Sequence, residues 1–306
     1  MAGLAKKIKN CGKTHREGLT AFGLLAVPIG WWLVIGAYPI VVGLALGFMD
    51  WKGINVQPTF AGFDNFIRFF TDTLWTSALW RTIYIGLLCF ICSTVLGGLV
   101  ALLLNSVRKG QGIFRAIWYF PSVTVAVATS QIFNILLKFD GGVINNIILS
   151  CGGEPVYWQY STGWMIFWIV VYSTWLGLGG STLMWLAALQ SVDASVIEAA
   201  KLDGCNRFQT FWKISVPQMM PIISFMFING FIAAMNVYET VMFISGGGPL
   251  GSTEVLAYKI MIAGFWDNDF GLAGGASLIV MIITVAFSAV VFRNQIRSFK
   301  SMEGMA

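Results

Sequence analysis

The sequence predicts an all-α integral membrane protein, a bundle of about six transmembrane helices. Three observations predict it. The 306 residues are 57% hydrophobic and only 11% charged, whereas a soluble domain carries about 25% charged residues. Six stretches without Asp, Glu, Lys or Arg are each long enough to cross a bilayer, which takes roughly 20 apolar residues. The Lys and Arg residues fall unequally on the two sides that those crossings define.

The stretches run Gly18–Met49, Thr82–Val107, Ala116–Leu137, Pro155–Val192, Ile214–Tyr238 and Phe270–Phe292. The first and fourth exceed one span, so tilt or interfacial extension is expected. Before the first lies a basic leader, residues 1–17, with Lys6, Lys7, Lys9, Lys13, Arg16 and the sole histidine, His15. A cleaved signal peptide is not expected, because the apolar stretch is too long and no small-residue cleavage site ends it. The divisions that follow are 18–49 for the first helix and 50–80 for an aromatic-rich loop. Five further helices occupy 81–300, interrupted by a polar loop over 193–215, and 301–306 is a tail.

Arg108, Lys109 and Arg115 sit between the second and third stretches, Lys201, Arg207 and Lys213 in the 193–215 loop, and Arg293, Arg297 and Lys300 near the end. With the leader these make fourteen basic residues on one side; Lys52, Arg68, Arg81, Lys138 and Lys259 make five on the other, completing the chain's 19 Lys and Arg. The richer side is expected to be cytoplasmic, and with it both termini and the 193–215 loop. This bias accounts for the net charge of +5 without a nucleic-acid partner.

The aromatics of the 50–80 loop, among them Trp51, Phe60, Phe63, Phe69, Phe70, Trp75 and Trp80, suggest a segment lying on the membrane surface or against a partner. Gly43 with Gly47, and Gly271 with Gly275, have the G-x-x-x-G spacing that lets helix backbones approach. "ISGGGPLGST", Ile244–Thr253, cannot continue a helix and reads as a tight loop at the bundle mouth. It is not a phosphate cradle, since no Lys-Ser/Thr follows it. Cys89 and Cys92 form a C-x-x-C inside a span, where small apolar packing is a better reading than redox chemistry. Cys11 and Cys205 fall on the reducing side.

Within the polar loop, "EAAKLDGCNRFQTFWKISVP" covers Glu198–Pro217. Ser195 and Glu198 have the spacing of a capping box, which predicts a two-turn helix over Val196–Asp203 starting at Ser195. Gly204 stands where a helix-ending glycine belongs. A second amphipathic piece, Phe208–Ile214, leads to Pro217. A helix this short is marginal alone in water, so the membrane surface or a docking partner is expected to hold it. A capped turn with no further role is the plain alternative.

E-A-A, two residues, D-G, nine residues, then I-x-V-P resembles the signature loop of binding-protein-dependent ABC transporter permeases. Glu198, Ala199, Ala200, Asp203, Gly204, Ile214 and Pro217 fit it, while Cys205 and Val216 stand where Ala and Leu are usual. "WYFPSVTVAVA", "FDGGVINNIIL" and "VYETVMFISGGGP" resemble the sugar-importing branch, with Glu239 for the usual Asp and Ser245 for Thr. The likeness covers roughly residues 80–300 and is closest to the maltose-type first permease subunit.

The resemblance implies a type I ABC importer permease fold of six helices with a cytoplasmic coupling helix. It also implies a second permease subunit, two cytoplasmic ATP-binding subunits and an extracytoplasmic solute-binding protein around a sugar path in a bacterial or archaeal plasma membrane. Glu198, Ala199, Ala200, Asp203 and Gly204 would then couple to the ATPase. Val196, Ile197 and Ala200 would offer it an apolar face, and Glu198 would meet a basic group. No G-x-x-x-x-G-K-[ST] occurs, so ATP and Mg²⁺ are expected on the partner subunits, with no cofactor, metal or catalytic residue in this chain.

Polar residues inside spans usually face the bundle interior or a cavity. Ser181, Asn229, Asn236, Tyr238 and Glu239 are therefore the candidates for substrate contact, with Gln131 and Asn134 weaker. Asn229 and Asn236 are seven apart and share a helix face. Amide, hydroxyl and aromatic groups suit a sugar; interhelical hydrogen bonding is the competing role. The competing functions are a permease of this fold for another solute and, in a different class, a secondary transporter or an intramembrane enzyme. The last would need a buried titratable pair, which the spans do not offer.

Overall fold

The structure is a computed structural model that describes residues 22–303 apart from Ile54 and Arg108, with side chains as far as Ile296. The basic leader with Cys11 and His15, the start of the first stretch, Arg108, the side chains of Arg297 and Lys300, and residues 304–306 of the expected tail lie outside the described residues.

Helix α1, Phe22–Leu46, is the first span. It contains a π-helical turn over Leu33–Ala37 just before Pro39, which has no N–H to continue the regular ladder. Two short strands follow, β1 Met49–Asp50 and β2 Thr59–Phe60, paired antiparallel. Helix α2, Asp64–Thr71, leads directly into α3, Thr73–Ser106, capped by the Asp72 carboxylate accepting from the Leu74 N–H at 2.8 Å. The second span thus begins nine residues before the charge-free stretch and carries Arg81. At about 1.5 Å per residue it is longer than the hydrocarbon is thick.

The third stretch is not one straight crossing. Helix α4, Gln111–Tyr119, passes into a 3-10 turn at Phe120–Val123, and α5, Ala126–Leu136, leaves at 89°. Pro121 starts the break, and Thr124 and Val125 are extended. The side chain and amide of Thr124 both return to the Pro121 carbonyl, at 2.6 and 3.2 Å, which satisfies that amide and that carbonyl at the bend. Helix α6, Val143–Ser150, is a short cap. The fourth span is α7, Thr162–Gln190; the surplus length of its stretch is the non-helical segment before it.

Helix α8, Ala194–Leu202, is the short helix of the polar loop. The fifth span, α9, runs Arg207–Met235 and so absorbs the second amphipathic piece, through a π-helical turn at Phe211–Ser215. It stops at Asn236; α10, Tyr238–Ile244, is separate. Helix α11, Leu256–Phe265, and the last span α12, Phe270–Glu303, complete the chain.

The core is built on α3. Gly97 lies against Ser181, and a Cβ on Gly177 would meet Ser93 Oγ at 2.9 Å, so α3 and α7 run parallel in close contact. Gly86 meets Ala234 and Gly230 meets Phe90, so α9 runs antiparallel to α3. The two G-x-x-x-G motifs meet at Gly47 and Gly275, while Gly271 abuts the Met49 carbonyl instead. A Cβ on Gly47 would come 3.0 Å from Gly275 Cα, and one on Gly274 would come 2.9 Å from the Gly43 carbonyl. Small residues here let the first and last spans touch backbone to backbone.

Asn65 clamps that junction, donating to the Gly47 and Met49 carbonyls at 3.1 and 2.8 Å, while Arg68 pairs with Asp269 at 2.8 Å. The aromatic segment is only partly a surface. Phe69 and Trp75 are buried with Leu256, Ala263 and Leu272, whereas Phe60, Phe63, Phe70 and Trp80 are exposed. Its helical period turns alternate rings inward. The glycine-rich segment is a tight loop, as its composition predicts, with Thr253 buried and donating to Ser245 Oγ or the Gly248 carbonyl at 2.8 and 2.7 Å.

Candidate functional site

A cavity of about 590 Å³ opens between α3, α7, α9 and the start of α10. All five residues singled out from the sequence line it: Ser181, Asn229, Asn236, Tyr238 and Glu239. Asn229 and Asn236 each donate to the carbonyl one turn back, Phe225 at 2.9 Å and Ile232 at 2.8 Å, yet both stay exposed to the cavity. The Tyr238 hydroxyl reaches Glu239 Oε1 at 3.4 Å. Ser181 Oγ is buried in the α3–α7 contact beside Gly97 without a hydrogen-bond partner, so the residue lines the cavity while its hydroxyl points into the helix seam.

Asn134 does not join them. It donates to the Phe243 carbonyl at 2.8 Å, tying α5 to α10, and Gln131 also lies away from the cavity. Sequence reasoning missed Ser93, Thr94, Ser173 and Thr240, which also line the wall. Ser173 Oγ donates to Thr240 Oγ1 at 3.3 Å, and the Thr94 carbonyl accepts from Trp185 Nε1 at 2.9 Å. Hydroxyls recurring in α3 and α7 were the signal, but Ser and Thr are common in membrane helices as packing residues. Cys89 is at the wall and Cys92 is not, and both are free thiols.

At the opposite end from the glycine-rich loop, α8 is held at both ends. Its N-cap is Asp193, not Ser195: the Asp193 carboxylate accepts from the Ser195 amide at 2.9 Å. An Asp two residues upstream competes for the same free N–H groups and wins, so the Ser195–Glu198 box does not form. Hydrogen bonds from the backbone and side chain of Ser195 hold the Asp193 carboxyl below its ordinary range. A true capping box forms one helix later, between Asn206 and Gln209 at 2.8 and 3.0 Å.

The C-terminal end closes as expected at Gly204, whose φ is +81°. The Cys205 amide donates to the Ala200 carbonyl at 3.0 Å and the Gly204 amide to Lys201 at 3.1 Å, a Schellman ending.

Of the three residues expected to offer an outward apolar face, Val196 is outward, but Ile197 and Ala200 turn toward the bundle. Ala200 is 4% exposed, and Ile197 packs on the cluster of Ala188, Val192 and Met219. That face anchors the helix to its own bundle, because the spans beneath offer the nearest apolar surface. Val196, Glu198, Ala199, Asp203 and Gly204 are outward, and Leu202 is 90% exposed.

Residues 93–298 match the family described as binding-protein-dependent transport system inner membrane component. That segment contains α8 and most of the cavity wall. The chain belongs to this family. As a member it is similar to the multiple sugar-binding transport system permease protein MsmF of Streptococcus mutans, 31% identical over 263 residues that cover 85% of this chain and 89% of the relative.

It is 30% identical to the lactose transport system permease protein LacF of Rhizobium radiobacter, covering 83% of this chain and 87% of that one. It is 26% identical to the sn-glycerol-3-phosphate transport system permease protein UgpA of Escherichia coli, covering 81% and 84%. Among solved structures, a chain of a bacterial ABC transporter that imports the acidic polysaccharide alginate superposes with a TM-score of 0.80. It is 21% identical, with 93% of this chain and 98% of that chain covered. At that identity the likeness shows the fold, a type I importer permease.

Proposed function

We propose that this family member is a transmembrane permease subunit of an ATP-driven importer for a sugar or oligosaccharide. It supplies half of the translocation path. A second permease supplies the other half, two ATP-binding subunits sit at the basic end, and an extracytoplasmic solute-binding protein delivers substrate to the glycine-rich end. The chain is not itself an enzyme; ATP and Mg²⁺ belong to the partner subunits. The basic end, both termini and α8 face the cytoplasm, by the distribution of Lys and Arg.

The observation that carries this reading is the family match over residues 93–298, which spans α8 and the cavity together. In this reading Glu198, Ala199, Leu202, Asp203 and Gly204 meet an ATPase subunit, while Ala200 seats the helix on its own bundle. Closure of the ATPases on ATP would move α8, and through Ile197 the cluster at the basic ends of α7 and α9. The bundle would then rock between inward and outward openings. Ser181, Asn229, Asn236, Tyr238 and Glu239 would face the passing solute.

A permease of the same fold for a non-sugar solute is the second reading, and the similarity to UgpA favours it. Uptake by the co-purified complex in proteoliposomes, screened across sugars, glycerol phosphate and amino acids, separates the two. ATP-dependent sugar uptake, lost in Glu198→Lys together with retention of the ATPase, is the expected result. Sugar uptake without any retained nucleotide-binding subunit would contradict the reading.

A further inference from the structure

The cavity has a polarity that narrows the solute. Its described lining carries hydroxyls and amides on every wall: Ser93 and Thr94 on α3, Ser173 and Ser181 on α7, Asn229 on α9. Phe90, Phe225 and Tyr238 add aromatic faces. One carboxylate, that of Glu239, is present, and among the described lining residues there is no Lys, Arg or His. Outside this lining, two described basic residues already have carboxylate partners: Lys259 pairs with Glu254 at 3.4 Å, and Arg68 with Asp269 at 2.8 Å.

We infer that this chain's half of the path is built for an uncharged polyhydroxylated solute and selects against anionic sugars such as uronates and sugar phosphates, with Glu239 as the selecting residue. The inference rests on the importer reading and goes beyond it, since family likeness extends to a glycerol-phosphate permease and to the fold of an alginate importer.

The physics is direct. An anion leaving water for a membrane-embedded cavity needs a compensating cation. This wall supplies none and adds a negative charge, and Coulomb terms are several-fold larger there than in bulk water. A neutral sugar needs only hydrogen-bond partners for its hydroxyls and a ring face to stack on, and the wall has both. Asn229 and Asn236, exposed to the cavity, are two such groups.

The test reads the cavity's charge in the assembled complex, so that whatever the second permease contributes is included. Gly180 lines the cavity, and a Cβ there meets nothing within 4 Å, so Gly180→Cys places a thiol in it with little disturbance. Modification of that cysteine by a cationic and by an anionic methanethiosulfonate is followed by peptide mass spectrometry, each rate divided by its rate with free cysteine.

The cationic reagent is expected to react about tenfold faster. Glu239→Gln is expected to bring the ratio close to one, and Glu239→Lys to reverse it. An anionic reagent that reacts as fast as the cationic one, or a ratio unmoved by Glu239→Gln, overturns the inference. Proteoliposome uptake supplies the second arm, with lactose, maltotriose and diacetylchitobiose against digalacturonate and glycerol 3-phosphate. Uptake of either acidic solute at a rate equal to the best neutral sugar overturns the inference and leaves the importer reading standing. Uptake of amino acids with no sugar overturns both.

Discussion

The Cys205 amide donates to the Ala200 carbonyl at 3.0 Å, wrapping the end of α8 around Gly204 at φ +81°. The bond fixes where the polypeptide turns back toward the membrane. It also holds Leu202 and Glu198 outward while Ala200 and Ile197 stay against the bundle.

Gly204 should therefore tolerate Asn and reject Val. A β-branched residue in the left-handed region costs about 1–2 kcal/mol, whereas Asn enters it readily. Gly204→Val is expected to lower ATPase co-purification about tenfold with the membrane bundle still folded, and Gly204→Asn to stay near the parent. Equal retention in both variants would show that the turn does not matter for assembly.

The cap at the other end of α8 is sensitive to acid. Folding depresses the Asp193 carboxyl through its bonds from Ser195. Its contribution is then present above the unfolded pKa and lost as pH falls through the lower folded value. Amide hydrogen exchange at Ser195–Glu198 should accelerate in that acid window, below the ordinary Asp range. Asp193→Asn, which caps without ionising, should abolish the pH dependence, and exchange that stays acid-sensitive in it would place the titrating group elsewhere.

The Gly47–Gly275 contact predicts a stability effect with no role in substrate passage. Gly47→Leu forces the first and last spans apart and should lower stability by about 2 kcal/mol. That would be read as a lower midpoint for denaturant unfolding in detergent. Gly30→Leu, where a Cβ meets nothing within 4 Å, is the control. Equal midpoints in the two variants would remove the packing argument.

Much of this architecture is legible in the residues, for identifiable reasons. Charge-free length locates the spans because a buried charge is costly in lipid, and mid-span Ser181, Asn229 and Asn236 mark the cavity by the same rule. The rule fails where charge sits at a span's edge: Arg81 hides the first turns of α3. It fails again where the backbone breaks inside an apolar run, at Pro121 and at Asn236–Val237. Pro121 is visible in the sequence, but a membrane helix can absorb a proline as a kink, so the residue marks a break without giving its 89° angle. Asp193 and Ser195 offer equal capping chemistry, and composition alone does not rank them. The inward turn of Ile197 and Ala200 follows from what lies beneath them, which no local pattern encodes.

Asn236 lies between the span and α10 and lines both the 590 Å³ cavity and a second one of about 720 Å³ beside α1, α11 and α12. Asn236→Ala should slow uptake several-fold while the ATPase stays bound. Unchanged uptake across solute concentrations would reduce it to a helix cap.

Site-specific cross-linking from Leu202 tests the central claim most directly. A photo-activated probe attached to Leu202→Cys, in membranes holding the full complex, is expected to capture a nucleotide-binding subunit, with a yield that changes when ATP is added. Labelling of the same cysteine in intact cells by a membrane-impermeant maleimide added from outside, or capture of lipid alone, would contradict the account.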